Sequence, residues 1–161
     1  MVARDNRETG PDTAAADREI VLTRLLDAPR ELVWRAFTEP EHLLKWWGPD
    51  GFTNTFHEFD LRPGGVWRFV MHAPNGTDYD NFVRFLEVIE GDGIVFDQGS
   101  SADDILHRSS ITLEDADGGT LVTLRVIFPT PEARDEAIEA VDAIEMGKQT
   151  LERLRVYLET M

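Results

Sequence analysis

The C-terminal stretch from Thr130 to Met161 leaves the rest of the chain few options. Ala133, Ala137, Ala140, Val141, Ile144, Leu151, Leu154 and Leu158 recur at spacings of three and four, the period of one helical face. Thr130-Pro131-Glu132 opens the run with a hydroxyl cap, a proline suited to the first turn and an acid at the positive end of the helix dipole. A single helix over about 28 residues at about 1.5 Å each is a rod of about 40 Å, long enough to cross a small domain. Whatever precedes it must wrap it. Gly147 falls mid-face between Ile144 and Leu151, where glycine costs about 1 kcal/mol against alanine. Two readings of it stay open: close backbone packing, or room left for a ligand.

Residues Met1 to Asp17 are polar, with Gly10-Pro11 and no apolar period, and read as a disordered tail ahead of one domain over residues 18–161. Ile20, Leu22 and Leu25-Leu26 predict a first strand that stops at Asp27-Ala28-Pro29. Two short helices follow. The first carries Leu32, Val33, Ala36 and Phe37 on one face; Thr38-Glu39-Pro40-Glu41 starts the second, which Gly48-Pro49 ends. Then come strands near Phe52–Leu61, Val66–His72, Thr77–Ile89, Ile94–Gln98, Ile105–Leu113 and Thr120–Phe128, separated by glycine-rich turns such as Asn75-Gly76. The plan is α+β: a curved antiparallel sheet of about seven strands wrapped on a long C-terminal helix, with two short helices after the first strand. A bent sheet gripping a rod leaves a wedge between them, and hence a pocket.

Composition narrows the function. A chain of 161 residues with 42% apolar content folds as one domain without help from metal or disulfides. The absence of cysteine excludes disulfides, thiolate chemistry and cysteine-ligated zinc. A net charge of −15 argues against nucleic-acid or anionic-membrane partners. Lys45 and Lys148 are the only lysines, a bias that fits adaptation to salt but that a GC-rich genome, which prefers arginine to lysine, would also produce. No apolar run is long enough to span a membrane and no signal pattern opens the chain, so a cytoplasmic location is expected.

The candidate site is apolar. Phe37, Trp46, Trp67, Phe69 and Phe85, with Met71, either line a cavity against Ile144, Gly147 and Thr150 or simply fill the core. His57, Asn81, Gln98 and Thr150 are candidates to orient a ligand, although strict alternation groups His57 with Phe59 and away from Phe56. His42, His57, His72 and His107 show no metal spacing, and no metal or cofactor is expected. Asp115-Ala116-Asp117-Gly118 starts like a calcium loop but places Val126 where the closing acid belongs, so it reads as a hairpin turn. No residue is singled out as catalytic: there is no nucleophile elbow and no phosphate-cradling glycine loop.

Several motifs resemble a known group. Asp27-Ala28-Pro29-Arg30-Glu31-Leu32-Val33-Trp34, Thr38-Glu39-Pro40-Glu41-His42-Leu43 and Lys45-Trp46-Trp47-Gly48-Pro49 look like the opening of the START-like, birch-allergen-like (SRPBCC) superfamily. With Asp60-Leu61-Arg62-Pro63-Gly64-Gly65-Val66-Trp67 and Gln149-Thr150-Leu151-Glu152-Arg153-Leu154, they resemble its branch of heat-shock protein 90 ATPase activator homologues. The resemblance implies the helix-grip fold and a hydrophobic ligand cavity. In the activator this domain is the second of two, and the residues ahead of Glu19 are too few to supply a first. The leading expectation is therefore a non-enzymatic domain, monomer or homodimer, that binds a small apolar molecule. A cyclase- or hydrolase-type enzyme using the same cavity, and a chaperone-interacting module, stand as alternatives.

Overall fold

Alternating residues from seven stretches pair into one antiparallel sheet in the computed structural model, which describes residues 16–161. The strands are β1 (Glu19–Leu26), β2 (Thr53–Phe59), β3 (Val66–His72), β4 (Asp78–Ile89), β5 (Gly93–Ser101), β6 (Asp104–Ala116) and β7 (Gly119–Ile127). Strands β2 to β7 run as a meander and β1 pairs with β7, giving the order β1-β7-β6-β5-β4-β3-β2. Helices α1 (Arg30–Thr38) and α2 (Pro40–Trp46) carry the chain from one sheet edge to the other. Tight turns do the rest: Asp117 (φ 48°) and Gly118 (φ 81°) close the β6–β7 hairpin with both central residues at positive φ, as its twist requires. The architecture is the α+β helix-grip fold that the sequence predicts.

Two local features depart from the simple pattern. A bulge in β2 inserts His57 between Phe56, opposite Phe69, and Glu58, opposite Arg68. Phe56 and Phe59 therefore share the concave face, with ring centroids 6.2 Å apart, while His57 is exposed. The C-terminal rod is also two helices rather than one: α3 (Pro131–Val141) and α4 (Ala143–Leu158). Thr130 caps α3 as its sequence suggests, its Oγ1 accepting from the Ala133 amide at 3.0 Å. Asp142 then adopts a left-handed conformation (φ 52°, ψ 54°) through which a right-handed helix cannot continue.

Burial follows from this break. Helix α4 buries Thr150, Leu151, Leu154 and Leu158 against the sheet, whereas α3 buries no residue at all. Helices α1 and α2 close the far end with Val33, Ala36, Phe37, Leu43 and Trp46, and the Trp46 Nε1–H donates to the Ala36 carbonyl at 3.1 Å. The tail expected over residues 1–17 lies, for residues 1–15, outside the described residues. Ala16–Arg18 form one 3-10 turn, tied to the end of β7 by the Arg18 guanidinium, which donates to the Phe128 carbonyl at 2.7 Å.

Candidate functional site

The aromatic residues singled out in the sequence meet at the α1–α2 end. Trp67 stacks on Phe69 at 4.1 Å, Phe37 meets Trp46 edge-on at 4.9 Å, and Phe59 meets Phe85 edge-on at 5.9 Å. Phe37, Trp46, Trp67, Phe69 and Phe85 are all buried. The space left among Phe37, Trp67, Phe85 and their neighbours is about 10 Å³, at the lower limit for one water molecule, whereas Phe69 also borders a polar groove of about 450 Å³ with His57 and Asn81. Met71 packs against this core beside Gly48, Ile144 is half-buried on the first turn of α4, and the buried Thr150 hydroxyl donates to the Met146 carbonyl at 2.9 Å. Asn81 and Gln98 lie on the concave face and bond each other at 3.1 Å.

A predominantly apolar space lies at the other end of the grip. A cavity of about 470 Å³ lies between β1, β6 and β7 on one side and α3 and the start of α4 on the other. Its floor is the paired register of Ile20 with Val126 and Leu22 with Leu124, continued by Phe128. Its roof is Ala133, Ala137, Ala140 and Val141 of α3 with Ala143 and Gly147 of α4. The cavity exists because the roof is made of short side chains. Alanines at helical spacing give α3 an apolar stripe that cannot reach across to the sheet.

Of the residues marked from the sequence, Gly147 alone lines this cavity. A Cβ there would overlap Leu22 Cδ1, so the glycine admits a close neighbour, and it also borders the void.

The polar side chains in the wall are His107 and Glu136. His107 was visible in the sequence only as one of four scattered histidines. The alternation His107-Ser109-Ile111-Leu113 along β6 was the available signal, because Ile111 and Leu113 share the concave face. Its Nδ1 is 3.3 Å from Ser109 Oγ and its ring meets Phe128 edge-on at 5.5 Å. Burial pushes the imidazole down to about 4, only partly opposed by the nearby Asp97 carboxylate, so it is neutral at pH 7. Asp97 is itself held by Arg108 through two bonds of 2.8 and 3.2 Å.

Arginines on α4 anchor the surroundings. The Arg153 guanidinium donates to the Gly48, Pro49 and Phe52 carbonyls at 2.9, 2.8 and 3.1 Å, pinning the Trp-Trp-Gly-Pro loop to the helix. Glu152 is gripped by Arg155 and by Arg24 of β1, which together hold its carboxyl down at about 2. Among the described residues no cluster of His, Asp and Glu is suited to a metal ion, and no helix is long and apolar enough to cross a membrane.

A bent antiparallel sheet, a C-terminal helix in its grip and an apolar cavity beneath that helix define a START-like helix-grip domain. Residues 27–159 match the family described as Activator of Hsp90 ATPase homolog 1-like protein, and the chain belongs to that family. Solved structures agree. A Nitrosomonas europaea protein is 30% identical over 90% of this chain and 96% of its own, with a TM-score of 0.80. A Mycobacterium smegmatis protein is 25% identical over 91% and 94%, with a TM-score of 0.82. A Chromobacterium violaceum protein is 29% identical over 86% and 95%, with a TM-score of 0.74. A search of curated proteins finds no match.

Proposed function

We propose that this domain binds a small apolar ligand, without catalysis, in the cavity roofed by α3 and α4. The observation that carries the proposal is a void of about 470 Å³ whose wall holds two polar side chains, His107 and Glu136, among otherwise apolar residues and one glycine. That volume falls within the range of ligand sites, roughly 300–1,000 Å³. Each methylene buried there gains about 0.8 kcal/mol, so a chain of about ten carbons overcomes much of the entropy lost on association. A catalytic reading would need a reacting group beside His107. Ser109 is only 3% exposed and is not part of the wall, so the pair is suited to orienting a ligand.

Native mass spectrometry of the purified protein, followed by calorimetric titration with ten-carbon apolar compounds, tests this. Ala137→Phe places a ring in the void. The parent is expected to bind, and the variant to lose binding with a melting temperature at least as high. A parent that binds none of the compounds, or a variant that binds as well as the parent, contradicts the proposal.

A second reading rests on the family's description, which names an activator of the Hsp90 ATPase. In that reading the domain docks on a chaperone. A pull-down at physiological salt that retains no chaperone would count against it.

A further inference from the structure

Resting on the cavity reading, we propose the class of ligand: an uncharged molecule with an apolar body and one hydrogen-bond-accepting oxygen, a ketone or an alcohol, which takes the free N–H of His107. A carboxylate is disfavoured. Ser109 sets the tautomer of His107. Its hydroxyl is buried, and among the described residues its only side-chain hydrogen-bond partner is His107 Nδ1, at 3.3 Å. A buried donor left unused is destabilising, so the hydroxyl proton points to Nδ1, which accepts it. The proton of the neutral ring then sits on Nε2, and among the described residues no protein group accepts from Nε2. With His107 in the cavity wall, a ligand oxygen completes that bond.

The charges around the cavity decide which oxygen. Glu136 lies in the wall and makes no ion pair among the described residues. Glu132, Asp135 and Glu139 adjoin it in the next groove along α3. Two of the nearby cations are paired with acids, Arg108 with Asp97 and Arg134 with Asp135; Arg18 donates to the Phe128 carbonyl and borders the adjoining groove rather than this cavity. A carboxylate entering here would meet the Glu136 carboxylate and no cation in the cavity lining, and burial holds the imidazole neutral at pH 7. An uncharged oxygen meets a matched donor.

The test is competition at pH 7 between a fluorescent apolar probe and decane, decanone, decanol or decanoate. Decanone and decanol are expected to bind more tightly than decane by about threefold to tenfold, the range of one net hydrogen bond, and decanoate more weakly than decane. His107→Phe should bring the ratio of decanone to decane affinity close to one, whatever it does to the affinity for both. Ser109→Ala frees the ring to change tautomer, so it should weaken the decanone preference and leave decanol less affected. Tightest binding by decanoate, or a decanone preference that survives in both variants, overturns the ligand class while leaving the pocket. If none of the compounds, decane included, displaces the probe, the cavity reading fails and this proposal fails with it.

Discussion

His107 makes the fold itself sensitive to pH, independently of any ligand. Its imidazole titrates near 4 in the folded chain because burial opposes the charge, against 6.5 when exposed. Above pH 6.5 both states are neutral and the folded state keeps its full stability. As the pH falls from 6.5 to 4, the unfolded chain takes up a proton that the folded one refuses, and up to about 3 kcal/mol is lost. Glu152 behaves in the same direction in a lower window: its depressed carboxyl stabilises the fold above pH 4.5 and gives up that contribution as the pH falls towards 2. Urea midpoints measured between pH 7 and pH 5 therefore isolate the histidine. The parent should lose stability across that range and His107→Phe should lose clearly less. Equal losses would mean that His107 is hydrated in the folded protein.

At the scale of the elements, the break at Asp142 decides where the cavity lies. A continuous rod would carry the Ala133–Ala140 stripe in line with the buried face of α4; two helices leave α3 without a buried residue, roofing a void. Asp142 makes no side-chain capping bond; its N–H caps α3 by donating to the Ala137 carbonyl, in a left-handed conformation that glycine adopts at lower cost. Asp142→Gly should be neutral or stabilising, and Asp142→Ala should cost about 1 kcal/mol, both read from urea unfolding. An alanine variant more stable than the glycine one would show that the helix prefers to run through.

This break marks the limit of sequence reading here. Period and punctuation were enough for the seven strands, for both short helices and for the Thr130 cap, because each depends on neighbours a few residues away. They were not enough for Asp142, since nothing in Val141-Asp142-Ala143 forbids a helix. Nor were they enough for His57, because a bulge adds a residue that only the partner strand can reveal. The aromatic residues drew attention by size, yet large rings fill space. The cavity is bordered instead by alanines and by Gly147, and small residues leave little trace in a pattern read for bulk.

Across the whole molecule the concave face divides into two ends: aromatic core under α1 and α2, and open apolar space under α3 and the start of α4. The net charge of −15 surrounds both, and the acids of α3 bring that charge to the edge of the cavity. The most direct measurement is a titration of the isotopically labelled protein with decanone, followed by two-dimensional NMR. Saturable shifts grouped at Ile20, Leu22, Leu124, Ala137 and Gly147, with the Trp67 and Phe69 signals unmoved, are predicted. No shifts at saturating decanone, or shifts centred on the Trp67–Phe69 stack, would contradict the cavity as the binding site.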